Sequence, residues 1–78
     1  MDNGVLPAIL EILARIGGIP NLAPDQDFYD AGVSSVSALP LLLEVEDQFG
    51  VSIPDEKFIA ARTASDLQKL VDELRQVK

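Results

Sequence analysis

Apolar residues recur at helical spacing along most of the chain, and no run alternates in the manner of a strand. Val5, Leu6, Ile9, Leu10, Ile12, Leu13 and Ile16 keep that period, and Gly17-Gly18 ends the segment, which predicts a first helix over 5–16. A second helix is predicted from about Ser35 to Phe49, stopping at Gly50. Its buried stripe is read as Val36, Leu39, Leu42 or Leu43, Val45 and Phe49, with so many leucines that the phase stays open. Pro54-Asp55-Glu56 suits the first turn of a short third helix ending near Ala60 or Ala61. Thr63-Ala64-Ser65-Asp66 is a reduced capping box with aspartate in place of glutamate, and Leu67, Leu70, Val71 and Leu74 follow it as a fourth helix. Between the first and second helices, Pro20, Pro24 and the aspartates make 19–34 a loop, pinned to the core by Phe28 and Tyr29. The pattern predicts an all-α fold: a small four-helix bundle with one long loop and a short third helix.

Pro40 disturbs this reading. In an α-helix beginning at Ser35 it removes the bond to the Val36 carbonyl, at about 3 kcal/mol. Either the helix starts later, with Ser37 as its cap and Pro40 in the first turn, or it starts at Ser35 and is locally distorted. The Gly32 and Ser34 signals favour the early start, with the Ser34 hydroxyl as N-cap.

Composition excludes several kinds of chemistry. The 78 residues predict one domain over 1–78, with a total stability of roughly 4 to 8 kcal/mol. Without cysteine there is no disulfide or thiolate metal site, and without histidine there is no serine-histidine triad or imidazole base. The N-terminus lacks a basic leader region and the apolar runs are too short to cross a bilayer, so a soluble cytoplasmic protein with no membrane partner is expected. The start at Met1 and the charged end at Lys78 favour a free-standing protein, expected to be monomeric.

Charge adds a direction. The net charge is −7, and no lysine or arginine occurs between Arg15 and Lys57, an interval holding Asp25, Asp27, Asp30, Glu44, Glu46, Asp47, Asp55 and Glu56. The basic residues Lys57, Arg62, Lys69, Arg75 and Lys78 all follow. A negative field over the middle of the chain argues against nucleic acid and for basic partners, although solubility alone also explains it.

The stretch Asp30-Ala31-Gly32-Val33-Ser34-Ser35-Val36 delivers two serines to the start of the second predicted helix. The first N–H groups of a helix lack intrahelical partners and its dipole favours negative charge, so a phosphodiester on Ser35 would sit well there. The pattern Asp25-x-Asp27-x-x-Asp30-x-Gly32 fails as a calcium loop, because Tyr29, Asp30 and Val36 stand where a ligand, a glycine and a glutamate are needed.

Phe28-Tyr29-Asp30-Ala31-Gly32-Val33-Ser34-Ser35-Val36 and the later run from Leu43 through Phe49-Gly50-Val51-Ser52-Ile53-Pro54 to Glu56 resemble the acyl carrier protein family. The family pattern is a G-x-D-S-L-type serine site followed by a helix with an acidic end and F-G-hydrophobic-x-I-P. The resemblance implies a protein that is not an enzyme: Ser35 accepts 4′-phosphopantetheine from coenzyme A, and the thiol of that arm carries an acyl group as a thioester. It selects Ser35 over Ser34, counting from Gly32 to the apolar residue after the serine. Implied partners are a magnesium-dependent phosphopantetheinyl transferase, an acyl- or amino acid:carrier protein ligase and downstream acyl-transfer enzymes. Glu44, Asp47, Asp55 and Glu56 are the candidates for steering these partners. Leu39, Leu42, Leu43, Phe58 and Ile59 are candidates for lining a cargo space, against the plainer reading of ordinary core.

The chain departs from the pattern where Ser34 replaces the aspartate before the serine and Val36 replaces the leucine after it. A G-x-S-S site is similar to small carriers that hold amino acids, which implies the aminoacyl subtype. The alternative is an unmodified, carrier-like adaptor that binds basic partners through its acidic face.

Overall fold

The computed structural model describes residues 4–76, so the chain ends at Met1 and Lys78 lie outside the described residues. Five α-helices follow one another: α1 (Val5–Arg15), α2 (Phe28–Ala31), α3 (Ala38–Phe49), α4 (Asp55–Ala60) and α5 (Ala64–Gln76). A 3₁₀ turn at Ser35–Ser37 leads directly into α3, and no strand occurs among the described residues. The fold is therefore the expected all-α bundle, with one added turn of helix.

That turn is α2, inside the segment read as loop. Asp27 caps it: its Oδ1 accepts from the N–H groups of Tyr29 at 2.8 Å and Asp30 at 3.1 Å. Gly32, at φ 132°, closes the other end, and the Val33 N–H returns to the Phe28 carbonyl at 3.0 Å. Phe28 is fully buried, as its assigned role of anchor requires, and Tyr29 is half-buried beside it. Two backbone bonds tie the segment to the α4–α5 connection and the start of α5, from Phe28 N–H to Arg62 O at 2.9 Å and from Ser65 N–H to Pro24 O at 3.0 Å.

α1 lies against α5 and α3. It contributes Ile9, Ile12 and Leu13 to a core completed by Leu41 and Val45 of α3, Phe58 of α4, and Leu67 and Val71 of α5. The reduced capping box forms at α5, with the Asp66 N–H donating to Thr63 Oγ1 at 3.0 Å. The shorter aspartate closes it one residue early, accepting from the Arg62 N–H rather than from the cap residue.

The stripe predicted for the second helix is partly displaced. Leu42 and Val45 are buried and Phe49 is half-buried, but the third fully enclosed position is Leu41. Val36, Leu39 and Leu43 face solvent, at 84%, 62% and 55% exposure. Val36 stands on the 3₁₀ turn, while Leu39 and Leu43, four apart within α3, share the side of that helix turned away from Leu41 and Val45. The inward row becomes Ala38, Leu41, Leu42, Val45 and Phe49, at spacings of three, one, three and four.

The same turn accommodates Pro40. Helicity begins at Ser35, but the Ser37 N–H bonds to the Ser34 carbonyl at 3.0 Å in 3₁₀ fashion and the α-helix proper starts at Ala38. Pro40 then occupies the first α-turn, where an N–H lacks an intrahelical acceptor anyway, so its missing donor costs little. At the far end Gly50 takes the left-handed conformation, φ 65°, and its N–H closes on Glu46 O at 2.8 Å.

Phe28→Ala is expected to lower stability by about 3–5 kcal/mol, more than half of what a chain this small can hold. The urea midpoint monitored by circular dichroism reads the loss.

Candidate functional site

The serine pair is placed by its neighbours. Val33 is buried and fixes the chain before it turns outward, and Ser34 is extended at φ −83°, ψ 158°. Ser34 does not cap with its side chain, contrary to expectation: its carbonyl, not its hydroxyl, receives the Ser37 N–H. The 3₁₀ geometry explains this, because the tight turn consumes with backbone the donor that an N-cap hydroxyl would otherwise take. Ser35 is the first residue of the turn and is exposed. Its hydroxyl makes no hydrogen bond among the described residues.

Ser35 lies on the edge of an open groove of about 530 Å³, lined also by Tyr29, Ala38, Ile59 and Arg62. The wall is thus drawn from α2, the start of α3, α4 and the α4–α5 connection. Arg62 reaches back to α2, where its Nε–H donates to Asp27 Oδ2 at 2.6 Å and its Cζ lies 5.0 Å from the centroid of the Tyr29 ring. The Tyr29 ring rests in turn on Phe28, with centroids 4.7 Å apart. The hydrogen bond from Arg62, helped by the N–H groups of Asp30 and Tyr29, holds the Asp27 carboxyl below its ordinary range despite partial burial. The same bond to Asp27 pushes Arg62 up. Asp27 of the failed calcium pattern therefore serves as a helix cap and ion-pair partner.

The acidic candidates divide into two kinds. Asp47, Asp55 and Glu56 are exposed. Glu44 is half-buried and 3.2 Å from Arg15 Nη2, and the Arg15 Nε also bonds Glu11 at 2.9 Å, so part of its charge is answered within the molecule. Glu46 turns back to accept the Ile53 N–H at 2.7 Å and holds the segment after α3 in place. Of the five residues considered for a cargo space, Leu42 and Phe58 belong to the core. Leu39, Leu43 and Ile59 are exposed and, with Val36, leave four large apolar side chains uncovered on the 3₁₀ turn, α3 and α4.

Two features were not found by sequence reasoning. Arg62 and Tyr29 were not assigned to the neighbourhood of Ser35, and no local pattern connects them, since the contact depends on how α2 meets the α4–α5 connection. The outward leucines of α3 were visible as leucines, but several phases of that helix fit its apolar pattern, and packing alone selects the one adopted.

An exposed serine hydroxyl beside a groove that carries a guanidinium has the donor chemistry a phosphodiester requires. The family model described as phosphopantetheine attachment site matches residues 7–71, and the chain belongs to that family of carrier proteins, whose prosthetic group is 4′-phosphopantetheine. Among similar proteins, the meromycolate extension acyl carrier protein of Mycobacterium tuberculosis (strain ATCC 25618 / H37Rv) is 29% identical over 75 residues, covering 92% of this chain. The chain spans only 65% of that relative's length. The aminoacyl carrier protein of Agrobacterium fabrum is 33% identical over 72 residues, 81% of this chain and 87% of its own. A probable acyl carrier protein of Caulobacter vibrioides is 39% identical over 46 residues, 59% of this chain and 54% of its own.

Because the folded-state pKa of Asp27 is depressed, its contribution to stability is complete above the unfolded value of about 3.9 and is lost as pH falls through the folded value. Urea midpoints measured from pH 7 downward should therefore lose this contribution below about pH 4. Asp27→Asn, which keeps a capping acceptor but loses the charge, should start lower at pH 7 and decline less steeply.

Proposed function

We propose that Ser35 carries the 4′-phosphopantetheine arm and that the chain, one carrier domain over its 78 residues, shuttles a thioester-bound cargo between enzymes without catalysing a reaction itself. The observation that carries the reading is the exposed, unbonded Ser35 hydroxyl on the first helical turn, in a chain that matches the attachment-site family over 7–71. When bound, the arm supplies the terminal thiol that holds the cargo. Attachment forms a bond between Ser35 Oγ and the pantetheine-side phosphorus of coenzyme A and breaks that phosphorus's bond to the bridging oxygen. Adenosine 3′,5′-bisphosphate leaves, and the serine proton passes to a base on the transferase. The turn offers its free N–H groups to the new phosphodiester, and Ser34 holds the approach extended.

The finer reading is an aminoacyl carrier working in the cytoplasm as a monomer. The Agrobacterium relative, whose name states that cargo, supports it. So does the assignment of Leu42 and Phe58, two of the residues considered for a cargo space, to the buried core. A polar cargo does not need the apolar shelter that a long acyl chain would favour. No described helix is long and apolar enough to cross a membrane.

For partners, namely the transferase, the amino acid:carrier protein ligase and the acyl-transfer enzymes, we assign a composite surface. Val36, Leu39, Leu43 and Ile59 supply the apolar centre, and Asp47, Asp55 and Glu56, with Glu44 less available, form an acidic rim that steers basic partners.

Incubation with coenzyme A, magnesium and a broad-specificity transferase should add one phosphopantetheine to the intact mass. Ser35→Ala should abolish the addition while Ser34→Ala retains it more weakly, and addition to the Ser35 variant would refute the assignment. No addition by transferases of differing specificity would favour the unmodified adaptor instead.

Leu39→Asp should slow modification at every ionic strength. Glu56→Lys should slow it by about twofold to fivefold at low salt, an effect that fades as salt screens the charge. Initial rates across a sodium chloride series separate the two contributions.

A further inference from the structure

Arg62 is the cation that the fold brings to the groove edged by Ser35. The remaining lining residues are Tyr29, Ala38 and Ile59, none of them a lysine or arginine. Lys57, the nearest preceding cation in sequence, lines a different depression, between α4 and α5. Arg62 is also held at both ends. Its backbone carbonyl accepts the Phe28 N–H at 2.9 Å and its own N–H donates to Asp66 at 3.2 Å. Its guanidinium lies over the Tyr29 ring and gives its Nε–H to Asp27.

A guanidinium has five N–H donors, and this arrangement uses one of them. The Nη groups make no hydrogen bond among the described residues. The side chain is thus oriented by two contacts and keeps the donor edge suited to a pair of anionic oxygens.

We propose that Arg62 binds the phosphodiester that links the arm to Ser35, as a positioning residue that fixes where the arm leaves the protein surface. The inference rests on Ser35 as the attachment site. Asp27 pairs directly with the guanidinium, and Asp30 adds a second negative charge in its surroundings. Arg62 therefore works through directed N–H donors more than through net field. A lysine, which has neither the planar fork nor the same stacking on Tyr29, replaces it poorly. Holding the phosphate at this edge sends the arm along the Tyr29, Ala38 and Ile59 wall, and releasing it frees the arm for a partner.

The simpler role for Arg62 is structural, pinning α2 through Asp27. The phosphorus nucleus of the modified protein distinguishes the two. The ³¹P resonance of the folded, phosphopantetheinylated chain should differ from that of the same chain unfolded in urea. Arg62→Gln should move the folded resonance more than halfway toward the unfolded position, and Arg62→Lys should move it part of the way. Asp27→Asn, which breaks the ion pair but leaves the guanidinium, should keep the resonance displaced. If the folded wild-type and Arg62→Gln resonances coincide, the inference is overturned, and an equal fall in urea midpoint with and without the arm then marks Arg62 as structural. Intact mass is read on every sample. An adduct with an unmoved resonance removes only the role of Arg62, whereas no adduct on the wild-type chain removes the Ser35 assignment and this inference together.

Discussion

Burial of Phe28 is the constraint on which the site depends. The connection between α1 and α3 is long, and it is held against the bundle by the apolar side chains it buries, Ile19, Leu22, Phe28 and Val33. Phe28 is the largest of them and is fully enclosed. Once Phe28 is seated, its N–H meets the Arg62 carbonyl, Asp27 lies where it can cap α2 and pair with Arg62, and Tyr29 comes under the guanidinium. The wall of the groove beside Ser35 is a consequence of that insertion. Ionic and polar contacts as exposed as these contribute little alone. Apolar burial positions the segment, and the polar contacts select the geometry it adopts.

The second organising feature is the 3₁₀ turn ahead of α3. It allows Pro40 to fall where its missing N–H matters least, and it leads into a helix on which Leu39 and Leu43 point away from the core. A small domain gains nothing in stability from leaving large aliphatic side chains in water, and contiguous exposed apolar surface on such a domain marks a place of contact. Ile59 lines the groove edged by Ser35, and Leu39 and Leu43 share one side of α3; on the reading proposed above, these side chains meet a partner that approaches the serine closely and then leaves. The apolar centre favours contact at short range, while the acidic rim acts at longer range and weakens with salt.

Much of this architecture was legible because local chemistry and tertiary role coincide. The α1 periodicity, the stop at Gly50, the short helix after Pro54 and the capping residues of α5 are all signals whose range is a turn or two. Phe28 could be read as an anchor because an aromatic residue among prolines and aspartates has little other use. Its turn of helix was not read, although Asp27 followed by Asp30 is itself a cap signal, because four residues are too few to show a period. The phase of α3 was not legible for the opposite reason: leucine is so abundant that several faces satisfied the pattern. Arg62 could not be associated with Ser35, since the contact runs through packing that no local spacing encodes. The motif singles out Ser35, whose hydroxyl the structure leaves exposed, whereas the role given to the neighbouring Ser34 hydroxyl assumed an α-helical start that the backbone does not adopt.

That difference in backbone bears on how a carrier serine stays unreactive until it is wanted. In an α-start capped by Ser34, one hydroxyl would be committed and the helix N-terminus partly satisfied. In the 3₁₀ start, backbone carbonyls take the donors at Ser37 and Ala38, and both serine hydroxyls remain in solvent. A hydroxyl in water with no base hydrogen-bonded to it is a poor nucleophile. On the reading proposed for Ser35, the protein supplies presentation and the partner supplies activation. Reaction then depends on docking over the apolar patch, which makes the geometry of the α3 start part of the control over when Ser35 is modified.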